Sequence, residues 1–189
     1  MFQHLSELQI GLLQKHILDF TGDVDGDLAV RAKESFEWLI VQGSPDITIN
    51  FCSKGGSIIT GFDIFHFIAD YSGKVTGKVI GYCCSSAVTI LQACDERVAY
   101  SIGEILVHRA KRELSMDCFT EDMHLTKKGK RLVEKSHKVE EMMIKVLLLK
   151  SGLSRKKLMA LLNRDKHILA DEALEYGFID RMLDSFADK

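Results

Sequence analysis

The sequence predicts an α/β domain, and two features carry that prediction. Short apolar runs typical of strands alternate with longer stretches of helical periodicity, and glycine-containing turns separate them. The chain has 189 residues, of which 46% are hydrophobic and 28% charged, which suffices for one domain with a substantial core. We therefore expect a single domain over residues 1–189.

Three strand–helix units are predicted in the first half of the chain. Each strand is a short apolar or alternating run, and each helix carries apolar side chains at helical spacing. Asp27 is expected to cap the first helix, since aspartate is a favoured N-cap residue. In chain order the predicted elements are a strand over 17–20, a helix over 28–40, a strand over 47–51, a helix over 58–71, a strand beginning at 79 and a helix after Ser85.

The second half is predicted to be mostly helical. Its longest element is an amphipathic helix within a handle-like region of about 120–150, whose charged outer face is most simply explained by solvation. In chain order the predictions are strands over 97–100 and 105–107, helices over 127–150 and 154–162, a polar break at 163–167, a short helix over 171–175 and a final apolar turn from Gly177.

Composition excludes several classes of function. The formal net charge of −2 gives no indication of a nucleic-acid or membrane partner. No apolar run approaches the length needed to span a bilayer, and the N-terminus lacks the pattern of a secretory signal. The five cysteines form no C-x-x-C pair and lie mostly in apolar runs, so we expect reduced thiols and a cytoplasmic location.

The acidic turn after the first strand has the carboxylate spacing of a calcium-binding loop. Asp23, Asp25, Asp27 and Glu34 have the required spacing, but the sixth position is Leu28, where that loop needs glycine. We therefore predict no metal site there.

Ser85 lies where the central strand turns into a helix rich in small residues. A hydroxyl at such a turn is placed as the nucleophile of an acyl-transfer enzyme would be. The commoner explanation, from this stretch alone, is that Ser85 only caps the helix.

Four further residues could complete such a site. Gly55 and Gly56 follow a strand, where bare N–H groups can approach a ligand, although a flexible connection is the simpler explanation. His108 ends a strand and could act as a base or merely hydrogen-bond locally. Asp165 lies in the polar break and could be an ordinary solvated carboxylate.

Taken together, these residues provide the chemical groups that acyl hydrolysis requires. Serine attacks a carbonyl, histidine takes its proton and returns it to the leaving amine, and aspartate fixes the imidazole. The candidate oxyanion donors are the backbone N–H groups of Gly56 and Ser86.

Four stretches resemble the Clp-fold serine peptidases, the proteolytic subunits of Clp proteases. They are ITINFCSKGGSIITGFDIF, GYCCSSAVTILQACD, EILVHRA and NRDKHILADEALEYGFID, in that order along the chain. The resemblance covers about residues 17–183. It implies that Ser85, His108 and Asp165 form the catalytic triad, with Gly56 and Ser86 as the oxyanion donors.

The resemblance also implies the ClpP/crotonase fold and peptide-bond hydrolysis without a metal or cofactor. Members of that family form stacked heptameric rings, and an ATP-driven unfoldase delivers unfolded protein to the enclosed sites. For this chain we accordingly expect peptide or unfolded-protein substrates and self-association into heptameric rings.

Three departures from the family pattern qualify those expectations. Lys54 and Ala110 stand where the family usually has proline. Neither change removes a catalytic group, and both are expected to affect the substrate cleft. The glycine-rich strand that joins two rings is replaced by KRELSMDCFTEDMHLTKKGK, so ring stacking does not follow. The segment before the first strand is short, so an unfoldase partner does not follow either.

Two other functions remain open from the sequence. One is a non-catalytic ring subunit of the same family. The other is a crotonase-fold acyl-CoA enzyme, which shares the backbone oxyanion hole but commonly uses carboxylates instead of a Ser-His-Asp set.

Overall fold

The computed structural model of the chain describes residues 2–110 and 114–183. Strands and helices alternate through most of this part, as predicted. The helices are α1 (Glu7–Leu13), α2 (Gly26–Val41), α3 (Ile58–Ala69), α4 (Ser86–Leu91), α5 (Lys127–Lys150), α6 (Arg155–Leu162) and α7 (Ala170–Glu175). The strands are β1 (Ile17–Val24), β2 (Ile47–Gly56), β3 (Val75–Cys84), β4 (Glu96–Tyr100), β5 (Glu104–Val107), β6 (Lys166–Leu169) and β7 (Arg181–Leu183).

The strands form one sheet that forks at β3. Strands β1, β2, β3, β4 and β7 lie side by side in that order and are parallel. The first half of β3 pairs with β4, up to Val79, and the second half pairs with β5 from Tyr82 onward. Strand β6 then pairs antiparallel with β5. The far end of β3 therefore belongs to a small sub-sheet of β3, β5 and β6.

One face of the sheet is buried against helices. Residues alternate between buried and partly exposed along β2, as expected for a half-buried strand. Phe51 is fully buried and packs edge-on against Phe20 of β1, with ring centroids 5.7 Å apart. On the opposite face of β3, Ile80 and Tyr82 remain 39% and 37% exposed.

The cap of α2 differs from the prediction. Asp25, not Asp27, is the N-cap: its backbone is extended, and its carboxylate accepts the N–H of Leu28 at 2.9 Å. Helix α2 begins at Gly26, which puts Asp27 in the first turn. Either aspartate could cap a helix. Because β1 continues to Val24, the residue directly after the strand, Asp25, takes the N-cap position.

The predicted polar break at 163–167 is wrong in its second half. Lys166–Leu169 forms β6, in which Ile168 is buried and pairs with Ile105. Four residues with one buried side chain give little periodic signal, and pairing with β5 decides the conformation. For the same reason the predicted apolar turn after Gly177 ends in the three-residue strand β7, paired with β4.

Helix α1 was not predicted. Ser6 accepts the N–H of Gln9, whose side chain accepts the N–H of Ser6, which completes a capping box. Capping of α6 by Ser154 is as expected, since its side chain accepts the N–H of Lys157.

A buried arginine joins β4 to the start of β7. Arg97 is 4% exposed, and its guanidinium donates to the carboxylate of Asp180 and to the carbonyl of Gly177. Burial disfavours the charged form of the Asp180 carboxyl, but hydrogen bonds from Arg97 outweigh it and hold the pKa below its usual value.

The described residues of the charged stretch before α5 form little regular structure. Lys111, Arg112 and Glu113 lie outside the described residues. From residue 114 to α5 the chain has a 3₁₀ turn (Met116–Cys118) and a single bridge between Phe119 and Leu125.

All five cysteines lie in the described part of the chain, and none is in a disulfide. This agrees with the expectation of free thiols. No helix within 2–110 or 114–183 is long and apolar enough to cross a membrane.

Candidate active site

Ser85 occupies a strained turn between β3 and α4. Its φ of 55° and ψ of −125° are unusual for a residue other than glycine, and strain of this kind is concentrated at functional sites. Its backbone N–H donates to the carbonyl of Leu106 in β5 at 2.8 Å, which ties the turn to the sub-sheet. The Ser85 side chain makes no capping hydrogen bond, although it stands at the N-cap position of α4. Capping therefore does not account for the hydroxyl.

Gly55 packs directly against this turn. Its φ is +86°, and a Cβ added there would lie 2.5 Å from the carbonyl oxygen of Cys84 and 2.7 Å from the Cβ of Ser85. Only glycine permits both the backbone conformation and the close approach. The end of β2 and the turn bearing Ser85 are therefore in direct contact.

Gly56 and Ser86, the two residues expected from the sequence to donate backbone N–H groups to an oxyanion, lie beside the contact between β2 and the turn. Gly56 follows Gly55 and lines the same cavity as Ser85. The Ser86 nitrogen is 3.1 Å from the position of a Cβ on Gly55.

Ser85 and His108 open onto one cavity. Its volume is about 900 Å³, and Gly55, Gly56 and Lys54 form part of its wall. His108 reaches it from the end of β5, which pairs with the part of β3 that leads to Ser85. Two residues separated along the chain are thus brought to the same space by strand pairing.

The His108 ring is oriented by its own backbone neighbour. Its Nδ1 lies 2.7 Å from the carbonyl oxygen of Arg109. A carbonyl can only accept, so this contact is a hydrogen bond when Nδ1 carries the proton. Nε2 is then left with a lone pair and can accept a proton.

Asp165 does not line the cavity. It is exposed and has a φ of 47°, in the turn between α6 and β6. Its carboxylate is not the Nδ1 partner of His108 in this conformation. The structure therefore brings together four of the five site residues predicted from the sequence, and Asp165 stands apart.

The two cysteines before Ser85 are poor alternative nucleophiles. Burial raises the pKa of the Cys83 thiol well above its usual value, and it also raises the pKa of Cys84. A thiol must ionise to attack, so burial keeps both groups unreactive. This leaves the hydroxyl of Ser85 as the candidate nucleophile in the turn.

Helix α5 forms one wall of the cavity, and this contact was not predicted from the sequence. Leu132, Lys135, Ser136 and Val139 line it, at the i, i+3, i+4 and i+7 positions of one helix face. Solvation alone therefore does not explain the polar side of this helix. The periodicity was visible in the sequence, but nothing marked which face met the site.

A second missed feature links α5 to the chain after His108. Glu140 is 2% exposed and accepts two hydrogen bonds from the guanidinium of Arg109. Glu140 is in phase with the buried apolar positions Met143, Ile144 and Leu147. Its position on the apolar face of the helix could have indicated from the sequence that this carboxylate is buried.

Comparison with known proteins places the chain in a family. The family model described as Clp protease matches residues 3–186. The chain belongs to the Clp protease family. The predicted ClpP/crotonase fold is thereby confirmed, because its mixed α/β sheet and helices are those of this family.

Curated relatives with Clp protease names cover nearly the whole chain. The "ATP-dependent Clp protease proteolytic subunit 1" of Chlamydia muridarum is 28% identical over 94% of this chain and 91% of its own length. A proteolytic subunit from Streptococcus pneumoniae is 27% identical over 91% and 86%. Proteolytic subunit 3 of Rhodococcus jostii is 23% identical over 94% and 85%.

Lys54 and Ala110, the two positions where the resemblance leads us to expect proline, border the cavity. Lys54 precedes Gly55, and Ala110 follows Arg109; each is part of the wall.

Proposed function

We propose that this chain is a serine endopeptidase, the proteolytic subunit of a Clp-type protease. The observation that carries the proposal is the shared cavity of Ser85 and His108, bordered by Gly55 and Gly56. A cavity of about 900 Å³ is large enough for several residues of an extended peptide. Membership of the Clp protease family supports the same reaction.

In the proposed reaction the Ser85 Oγ attacks the scissile carbonyl carbon. Nε2 of His108 takes the hydroxyl proton as the new C–O bond forms. The carbonyl oxygen gains negative charge and accepts hydrogen bonds from the N–H groups of Gly56 and Ser86. The proton then passes from His108 to the leaving amine, the C–N bond breaks, and water hydrolyses the acyl-enzyme by the same route.

Asp165 is proposed as the third member of the triad. A carboxylate at Nδ1 would fix the tautomer of His108 and stabilise the imidazolium that forms during attack. For this role the Asp165 carboxylate has to turn toward Nδ1 of His108, whose N–H is then shared between this carboxylate and the Arg109 carbonyl. The positive φ of Asp165 marks a strained turn, as is common at functional positions.

The working form is proposed to be a ring of copies, as expected for a heptameric Clp peptidase. The exposed apolar side chains on the outer face of β3, Ile80 and Tyr82, support burial against a second copy. Unfolded protein delivered by an ATP-dependent unfoldase is the proposed substrate source. Particle mass in solution tests the ring, and a monomer at all concentrations would contradict it.

A fluorophosphonate probe tests the nucleophile. Wild-type protein is expected to be labelled at Ser85 and to cleave a short fluorogenic peptide. Ser85→Ala, which deletes only a hydroxyl, is expected to fold normally and to lose both properties. Peptide cleavage that survives in Ser85→Ala would refute the assignment.

A non-catalytic ring subunit is the second candidate. The position of Asp165 outside the cavity favours it, because the triad is incomplete in this conformation. The same probe separates the two functions, since a non-catalytic subunit gives no label at Ser85.

A further inference from the structure

We propose that Glu140, acting through Arg109, is a positioning residue for His108; this rests on the proposed role of His108 as the base. Three links connect Glu140 to His108: a buried carboxylate on α5, an arginine held between two helices, and a carbonyl that meets the imidazole.

The first link is the buried charge of Glu140. Its side chain is 3% exposed, and a carboxylate out of water needs strong partners. Oε1 accepts from Nε of Arg109 at 2.7 Å, and Oε2 accepts from Nη2 at 2.8 Å. This two-point geometry fixes the guanidinium in direction as well as in distance.

The second link is the backbone around Arg109. The N–H of Ala110 also donates to Oε1 of Glu140, at 3.1 Å. On the other side, the N–H of Arg109 donates to the carbonyl of Leu162 at the end of α6, at 3.2 Å. The peptide groups on both sides of residue 109 are therefore held, one by α5 and one by α6.

The third link is the Arg109 carbonyl. It lies in the peptide group between Arg109 and Ala110, whose N–H is bound by Glu140. Its oxygen is 2.7 Å from Nδ1 of His108. Because Glu140 holds this peptide plane, it determines where the carbonyl oxygen stands and hence the direction in which Nε2 faces.

The arrangement also links the base to the cavity wall. Helix α5 carries Leu132, Lys135, Ser136 and Val139 on the wall, all within the eight residues before Glu140. The Arg109–Glu140 ion pair thus couples the wall that would meet a substrate to the residue that would move the proton. The pair is expected to affect the chemical step more than substrate binding.

The test compares Glu140→Gln with Glu141→Gln. Glu141 is the adjacent residue and forms an exposed ion pair with Arg155, so its substitution is a matched control. Glu140→Gln is expected to lower kcat and the rate of fluorophosphonate labelling by about tenfold or more, with KM changed less than about twofold. Glu141→Gln is expected to leave all three unchanged.

Removal of one buried charge can also unfold the protein. The double variant Arg109→Gln/Glu140→Gln removes both charges of the pair and is measured beside the single variants, at a temperature where each is folded. The double variant is expected to lose no more activity than Glu140→Gln alone, because both substitutions break the same contact.

Crystal structures of the wild type and Glu140→Gln provide a readout that does not depend on catalysis. The Arg109 carbonyl is expected to leave Nδ1 of His108 in the variant. If it stays within hydrogen-bond distance, or if folded Glu140→Gln matches Glu141→Gln in kcat and labelling rate, the inference is overturned. An unlabelled wild type would instead refute the proposed function, and the structures would still decide the role of Glu140.

Discussion

Val107 pairs with Lys166 in the antiparallel ladder between β5 and β6. One residue beyond this pair lie His108 on one strand and Asp165 on the other. The two backbones are therefore neighbours, even though the Asp165 carboxylate is outside the cavity. Nδ1 of His108 contacts the Arg109 carbonyl instead of this carboxylate.

This register gives a prediction for Asp165. Asp165→Asn is expected to lower kcat by about 10²-fold or more, because an amide cannot stabilise the imidazolium of His108. Asp171→Asn, at an exposed carboxylate in the first turn of α7, serves as the control. Steady-state kinetics on a short fluorogenic peptide measure both. Equal kcat for Asp165→Asn and the wild type would remove Asp165 from the triad.

The contact between Gly55 and the Ser85 turn gives a second prediction. Gly55→Ala is expected to abolish fluorophosphonate labelling and to lower the free energy of unfolding by about 1–3 kcal/mol, since the new Cβ meets the Cys84 carbonyl and φ is positive. Gly11→Ala, in α1 with nothing within 4 Å, is expected to be neutral or stabilising. Urea unfolding and labelling report the two effects, and normal labelling of Gly55→Ala would contradict the close approach.

The Arg97–Asp180 pair gives a prediction for stability. Asp180→Asn leaves the buried guanidinium without its charge partner and is expected to lower the free energy of unfolding by about 3 kcal/mol at pH 7. Glu37→Gln, which breaks the exposed Lys33–Glu37 pair, is expected to change it by less than about 0.5 kcal/mol.

The pH dependence of that stability follows from the direction of the Asp180 shift. Its pKa is lower in the folded state, so the ionised carboxylate stabilises the fold above its ordinary pKa, and this contribution is lost as the pH falls through the folded value. The difference between wild type and Asp180→Asn is therefore expected to shrink below about pH 4. A difference that stays constant from pH 7 to pH 3 would show that the charge is not responsible.

The cysteines give a prediction about the nucleophile. Cys83 and Cys94 are fully buried, and burial raises the pKa of each thiol. Iodoacetamide is expected to modify the partly exposed Cys52 in the native protein and to leave Cys83 and Cys94 unmodified. Mass spectrometry of native and unfolded samples measures this. Rapid native alkylation of Cys83 would reopen the question of a thiol nucleophile.

Local signals in the sequence were enough to predict most of the sheet and the surroundings of Ser85. The alternation of apolar and polar residues predicted strand β2, and the glycine pair at its end predicted a close backbone approach there. Both are local features of the sequence. The Arg109–Glu140 pair was not predicted, since the residues are 31 positions apart and charged side chains on a helix are usually solvated. Strand β6 was missed because its pairing with β5 lies outside any local pattern.

The fork in β3 has a consequence for how the proposed site opens. Ser85 follows β3, His108 follows β5 and Asp165 precedes β6, so all three extend from the same three-stranded sub-sheet. Separation of β5 from β3 is expected to displace Ser85 and His108 together, while the β1–β2 pairing persists. Conditions that increase amide hydrogen exchange in β5 and β6 are therefore expected to lower the catalytic activity.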